Sequence, residues 1–394
     1  MLWLLMSCQD KTTFVIDGAN TIWIAPDEPA YIRLAVQDLI SDVEKITGKQ
    51  MVIVENPSEL KEQSLVIGTI NNPTVAAFLP SERLQTMQGK WEQYTLLHLD
   101  THQNLKQLLL IAGSNPRGTM FGIYHFLEHQ LGVDPLYFWT DSELQKREKI
   151  DLSKLNITSS VPDFKFRGWF INDEDLLTEW KEGGGKRTID YPYYGQVVAP
   201  EVIERVAEAA VRLRYNLIIP ASFVDIRNPA EAYLVEASSK RGLYVSMHHV
   251  EPVGVSAFGY QNYWKEKGES PLFSFYSEPE KLEQTWRDYI QRWSKYSDVV
   301  WQIGLRGIAD RPMWMADAGV PQSDAERGKI ISDAMQLQKQ LIQEITGNPN
   351  PLMTTTLWAE GAAFHQSGDL TIPDNVMVIF ADNSPWLGVA ARLL

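Results

Sequence analysis

Residues 167–175 read Arg-Gly-Trp-Phe-Ile-Asn-Asp-Glu-Asp, RGWFINDED. The apolar run Trp169, Phe170 and Ile171 reads as a buried strand, and it stops abruptly at Asn172, Asp173, Glu174 and Asp175. One amide and three neighbouring carboxylates at the end of such a strand are costly unless something uses them. Like charges repel, and burial disfavours their ionised forms. In parallel α/β proteins the C-terminal ends of strands are where ligands bind. The segment therefore points to an enzyme built on a parallel α/β sheet.

Downstream the pattern repeats. Strand-like runs at Phe166–Ile171, Asn216–Pro220, Leu243–Met247, Val299–Gly304, Leu352–Leu357 and Val376–Phe380 alternate with helical runs. The helical runs are Pro200–Leu213, Pro229–Arg241, Pro279–Tyr296 and Ser323–Thr346, with a further helix start at Pro385–Leu394. This alternation is the mark of successive βα units. An open doubly wound sheet is one arrangement. Polar residues after nearly every strand favour a (β/α)8 TIM barrel, of which about six βα units are present.

Upstream, residues 12–150 read as a smaller α/β unit. Phe14–Ile16 and Thr21–Ile24 read as short paired strands, and Ala30–Thr47 has helical periodicity closed by Gly48. Met51–Val54, Leu65–Ile67 and Leu108–Ala112 read as strands, and Gly118–Leu131 as a helix. Asp141–Pro162 reads as a polar connector with room for one strand. The expected domains are a lipoprotein-type signal remnant (1–11), an N-terminal α/β domain (12–150), a linker (151–162) and a partial barrel (163–394).

The charge excludes one class of partner. With 50 acidic and 36 basic residues the formal net charge is -14, and nucleic acid demands the opposite sign. Thirteen Trp and fifteen Tyr give many faces for stacking on sugar rings, though Trp is also ordinary core material. The single cysteine, Cys8, excludes an internal disulfide. It ends the run Leu5-Met6-Ser7-Cys8, which resembles a bacterial lipoprotein signal without its positive n-region. The expectation is an exported protein, periplasmic or on the outer-membrane or cell surface, touching the membrane only through a lipid on Cys8.

The strand ends supply the chemistry. Asn172, Asp173 and Glu174 follow the first strand; His248, His249 and Glu251 the third; Arg306 and Asp310 the fourth; Glu360 the fifth; Asp382 and Asn383 the sixth. In a barrel these converge on one face. The set suits glycoside hydrolysis, in which one carboxylic acid protonates the leaving oxygen and a second carboxylate activates water or attacks carbon. Arg306 and a histidine can hold a sugar carboxylate through charge-assisted hydrogen bonds. Plainer readings exist: Glu360 as a solvated loop residue, Asp310 as a cap near Pro312, Arg306 as the partner of a nearby Asp. His-His-x-Glu lacks the i, i+4 spacing of a zincin, so no metal and no cofactor are expected. The Gly183–Gly185 run lacks phosphate-loop spacing and reads as a mobile loop.

Three blocks resemble glycoside hydrolase family 115, the xylan α-1,2-glucuronidases. They are residues 112–141 (AGSNPRGTMFGIYHFLEHQLGVDPLYFWTD), RGWFINDED, and the ordered set HHVEP, GLRGIADRPM and FADN. The resemblance implies a hexosaminidase accessory-like α/β domain followed by a TIM barrel. It also implies an inverting, metal-independent hydrolase that removes glucuronic acid or its 4-O-methyl ether from glucuronoxylan. By position, Glu360 resembles the family's catalytic acid and Asp310 a catalytically important carboxylate. Asn172, Asp173, Glu174, His248, His249, Glu251, Arg306, Asp382 and Asn383 are the expected substrate-binding residues, and a homodimer is the expected oligomer of the full-length protein. Three positions depart from the family pattern: Val250 is extra in HHVEP, Ala309 replaces a glycine, and FADN has lost an acid. The alternatives are a retaining hexosaminidase-like enzyme and a non-catalytic glycan-binding surface lipoprotein.

Overall fold

The structure is a computed structural model that describes residues 14–99, 107–152, 154–172, 174–189 and 195–380, with the backbone alone for Glu174 and Asp175. The expected signal segment and the helix start after Pro385 lie outside the described residues. Contacts group the chain into two units: residues up to 167 together with 208–216, and residues 168–207 together with those from 217 onward.

The first unit is built on a six-stranded sheet in the order Val52–Val54, Thr21–Ile24, Ser64–Thr69, Leu108–Gly113, Tyr94–Leu99, Asn156–Thr158. The first four run parallel, and Tyr94–Leu99 is antiparallel to both of its neighbours. The helix Ala30–Thr47 buries Ile32, Val36, Leu39, Ile40, Val43 and Ile46, the spacing of one helical face, and ends at Gly48 with φ 75°. Asn115 caps the helix Pro116–His125 by accepting from the Gly118 N–H at 2.8 Å.

The expected pairing of Phe14–Ile16 with Thr21–Ile24 is wrong. Phe14–Ile16 pairs antiparallel with Ile150–Leu152, and Thr21–Ile24 lies between two parallel partners. All four residues of Thr21–Ile24 are buried, as a central parallel strand requires and a hairpin arm does not. The connector 141–162 holds two short strands, Ile150–Leu152 and Asn156–Thr158, rather than one.

A buried ion-pair cluster lies in this unit. Arg212 places Nη1 2.8 Å from Asp42 Oδ2 and Nε 2.8 Å from Glu208 Oε1. The Tyr137 hydroxyl donates to Asp42 Oδ1 at 2.8 Å. Burial and then the Asp42 charge push that hydroxyl's pKa up, so it stays a donor. The guanidinium also lies 5.6–5.7 Å from the ring centres of Tyr124, Tyr137 and Phe138.

The second unit holds six parallel strands that neighbour one another in chain order: Gly168–Phe170, Leu217–Ile219, Tyr244–Ser246, Val299–Gln302, Met353–Leu357 and Val376–Phe380. Helices alternate with them, as in a TIM-like α/β fold. Gly168 opens the first strand because its neighbour comes too close for a side chain: an added Cβ would lie 2.1 Å from the Leu217 carbonyl oxygen. Three helices escape the periodicity of the sequence, Glu174–Trp180, Ala257–Glu266 and Glu360–Ser367. The Gly183–Gly185 run leads into an antiparallel bridge between Lys186 and Gln196, and a Cβ on Gly184 would lie 1.9 Å from the Val197 carbonyl oxygen. Among the described residues no helix is long and apolar enough to cross a membrane.

Removing one partner of a buried charge pair leaves the other uncompensated, at a cost of about 3–5 kcal/mol. Asp42→Ala leaves Arg212 with Glu208 alone and is therefore expected to lower the urea-unfolding free energy by up to about 3–5 kcal/mol, seen as a lower midpoint. An unchanged midpoint would show that Arg212 does not depend on Asp42.

Candidate active site

Beyond the strand Val299–Gln302 the chain turns at Gly304, whose φ of 150° suits glycine. Gln338, fully buried on the helix Asp324–Thr346, grips that residue at both backbone atoms. The Gly304 N–H donates to Gln338 Oε1 at 2.9 Å, and Gln338 Nε2 donates to the Gly304 carbonyl at 2.8 Å. Gln302, also buried, donates to the Ile303 carbonyl at 2.8 Å and accepts from Thr354 and Thr356 at 3.3 and 3.2 Å. The root of the loop is thus fixed by amides that reach the adjacent strand and the helix behind.

Two residues beyond Gly304 comes Arg306, the centre of the site. Its Nε donates to Asp310 Oδ1 at 2.8 Å, its Nη2 to the Asp310 carbonyl, and its Nη1 to Glu360 Oε1. His249 Nε2 lies 3.0 Å from the same Asp310 Oδ1. Since an ionised carboxylate only accepts, Nε2–H is the donor there. Burial alone would raise the Asp310 pKa, but the His249 hydrogen bond and the His249 and Arg306 charges outweigh it and hold the carboxyl below its ordinary value. Asp310 is the more water-accessible of the two acids, with 32% of its side chain exposed against 14% for Glu360.

The backbone is strained beside both carboxylates. Ala309 and Asp310 have φ of 52° and 58°, and Ala359, immediately before Glu360, has φ 49° and ψ -119°. A non-glycine residue held there costs on the order of 1–3 kcal/mol, and such residues gather at functional sites. The alanine that replaces the family-type glycine at 309 therefore keeps the conformation that glycine would favour.

The other sequence-derived residues fall in several places. His248 is set among the rings of Phe170, Phe223 and His249, with centroids 4.5, 6.4 and 4.1 Å away. Its Nδ1 has no hydrogen-bond partner among the described residues. Burial first, then the neighbouring His249, lower its pKa to about 3, so it is neutral. Asn172 is exposed and accepts from the Ser222 hydroxyl at 3.0 Å. Glu251 is buried in the turn after His249, its N–H donating to the His248 carbonyl at 2.9 Å. Glu174 begins the short helix Glu174–Trp180. Asp173, Asp382 and Asn383 lie outside the described residues. No group of three or more His, Cys, Asp or Glu side chains suited to a metal occurs among the described residues.

Beside the cluster lies a cavity of about 30 Å³, walled by Arg306, Glu360, His249, Gln302, Thr356 and Trp358, with Ile331, Met335 and Leu370 also lining it. That volume holds about two waters. Trp358 reaches His249 with ring centroids 6.2 Å apart. Sequence reasoning overlooked Gln302, Gln338 and Trp358. The available signal was an indole two residues before the candidate acid.

The family model described as glycosyl hydrolase family 115 matches residues 159–390. Among solved structures, one titled as a novel family GH115 4-O-methyl-alpha-glucuronidase with specificity for decorated arabinogalactans is similar at a TM-score of 0.75 and 23% identity. The match covers 93% of this chain and 45% of that one, so the chain spans under half the length of its structural neighbour. A search of curated proteins finds no match.

Two outcomes follow from the strained loop and the neutral imidazole. Ala309→Gly is expected to leave the thermal midpoint unchanged or raised, and Ala309→Val to lower it by the equivalent of about 1–3 kcal/mol. For His248 the native pKa of about 3 lies below the ordinary 6.5. Between those values the unfolded chain binds a proton that the native state refuses, so this residue costs the fold stability as pH falls through the window. His248→Phe should therefore flatten the loss of stability between roughly pH 6.5 and 4.5, measured as urea-unfolding free energy, above the range in which Asp310 titrates. An equally steep profile in the variant would assign the acid sensitivity elsewhere.

Proposed function

The chain belongs to glycosyl hydrolase family 115, and we propose that it hydrolyses the bond joining glucuronic acid or 4-O-methylglucuronic acid to a plant polysaccharide by a single, inverting displacement. The observation that carries this reading is the one arginine bonded to two carboxylates on the loops after the fourth and fifth strands. Glu360, the more enclosed, protonates the glycosidic oxygen. Asp310, ionised and nearer water, takes the proton of the attacking water on the opposite face. His249 orients Asp310, and Arg306 receives the sugar's carboxylate in a charge-assisted pair.

The polymer follows from analogy alone. The resemblance of the sequence favours glucuronoxylan, and the structural neighbour's title favours decorated arabinogalactan. The Leu5-Met6-Ser7-Cys8 stretch supports an exported enzyme anchored by lipid, where such polymers are met. The strand-ordered parallel sheet supports a barrel completed beyond the described strands. The positive φ of Ala309, which a glycine there would favour, weighs against a protein that has lost catalysis.

Incubation with each polysaccharide, followed by proton NMR, tests the reading. Free uronic acid is expected, appearing first as the β-anomer. Glu360→Gln should reduce the rate by about 10²–10⁴-fold with an unchanged unfolding midpoint. Full turnover by that variant would remove Glu360 from the acid role, and no uronic acid from either polymer would end the reading.

A further inference from the structure

We propose that Arg306 is a carboxylate-exchange latch: Glu360 occupies it in the ligand-free protein, and the carboxylate of an incoming uronate displaces Glu360, which then takes up the proton that makes it an acid. This rests on the uronate reading above and adds how the acid is armed.

A guanidinium is permanently charged and only donates, so a carboxylate bonded to it serves as an acceptor. In the observed contact Glu360 Oε1 accepts from Arg306 Nη1, so that oxygen is not turned to a ligand as a donor. The two acids are held unequally. Asp310 is gripped by Arg306 Nε, by Nη2 through its own carbonyl, and by His249. Glu360 is held to Arg306 through Nη1. An arriving carboxylate competes most easily for that single position.

Charge then selects the protonated group. Glu360 contacts Arg306, which also binds Asp310; His249 binds Asp310 in turn, and neutral His248 lies against His249. A third carboxylate beside one guanidinium favours protonation of one of the three. Asp310 keeps Arg306 Nε, Nη2 and His249, and the ligand gains Nη1, so the proton goes to Glu360.

Space points the same way. Glu360 forms one wall of the pocket beside Arg306. Glu360 begins the helix Glu360–Ser367 just after the strained Ala359, and the following Gly361 has open space where a Cβ would be. A swing of this one residue breaks one ion pair.

The step balances. A solvent proton joins the Glu360 carboxylate on displacement. During hydrolysis that proton passes to the glycosidic oxygen as the C1–O bond breaks. The water oxygen bonds to C1 and its proton goes to Asp310, which returns it to solvent. A sugar whose C6 is an ester or a hydroxymethyl group brings no carboxylate, leaves the latch shut and is not cleaved.

The test is calorimetric titration of the full chain with D-glucuronate near pH 6.5 in two buffers of different ionisation enthalpy, with methyl α-D-glucoside as the neutral control. Wild type should take up about one proton per glucuronate bound, and none with the glucoside. Glu360→Gln should take up none and bind glucuronate about tenfold tighter, because no ionised side chain competes for Arg306. Glu360→Asp, which keeps a carboxylate, should retain uptake. Glucuronate binding to wild type without proton uptake, or weaker binding by folded Glu360→Gln, overturns the latch while leaving uronic-acid release intact. Absence of both glucuronate binding and uronic-acid release overturns the latch together with the uronate reading.

Discussion

Two carboxylates share one guanidinium, and the site is organised around that shortage of positive charge. Arg306 satisfies Asp310 and Glu360 at once because Asp310 lies in the turn four residues on and Glu360 on the loop after the next strand. Two acids beside one base leave a surplus of negative charge in a partly buried place, where isolated ions are costly. His249 offsets part of it from the side of Asp310. The cluster is bound tightly enough to fix Asp310 and loosely enough to leave Glu360 on one link.

That arrangement depends on parts with no chemistry of their own. Gln338 grips Gly304 and Gln302 ties down Ile303, so the loop carrying Arg306 leaves the sheet from a rigid base. Beyond that base the backbone accepts strained dihedrals at Ala309, Asp310 and Ala359. Strain of this kind persists only where the surroundings over-determine it. Here the buried amides and the Arg306 contacts provide the constraint. Rigidity and strain are thus adjacent, with the carboxylates on the strained side.

The strand–helix alternation of the second unit was legible because its strands are apolar and its helices carry clear caps and prolines. The strand ends could therefore be lined up, and Arg306, Asp310, Glu360 and His249 do meet. The pairing of Phe14–Ile16 was misread because nearness in sequence favours a hairpin, while the true partner Ile150–Leu152 is far along the chain. Tyr94–Leu99 was missed, and nothing local marks it as the antiparallel member of a mostly parallel sheet. The amide supports of the site were invisible for another reason. Gln338 and Gln302 look like ordinary polar residues until burial is known, and burial is a property of the fold rather than of the stretch.

The shared guanidinium also bears on how fast an anionic ligand arrives. A site with one exposed cation would draw such a ligand from a distance. Here the cation is already neutralised by the protein's own acids, on a chain whose formal net charge is -14. The field at long range is therefore repulsive to a polyanion, and attraction begins only at contact. Screening ions weaken that repulsion over about one Debye length, roughly 8–10 Å at moderate salt. Encounter with an acidic polysaccharide is thus one of the cases in which added salt hastens association.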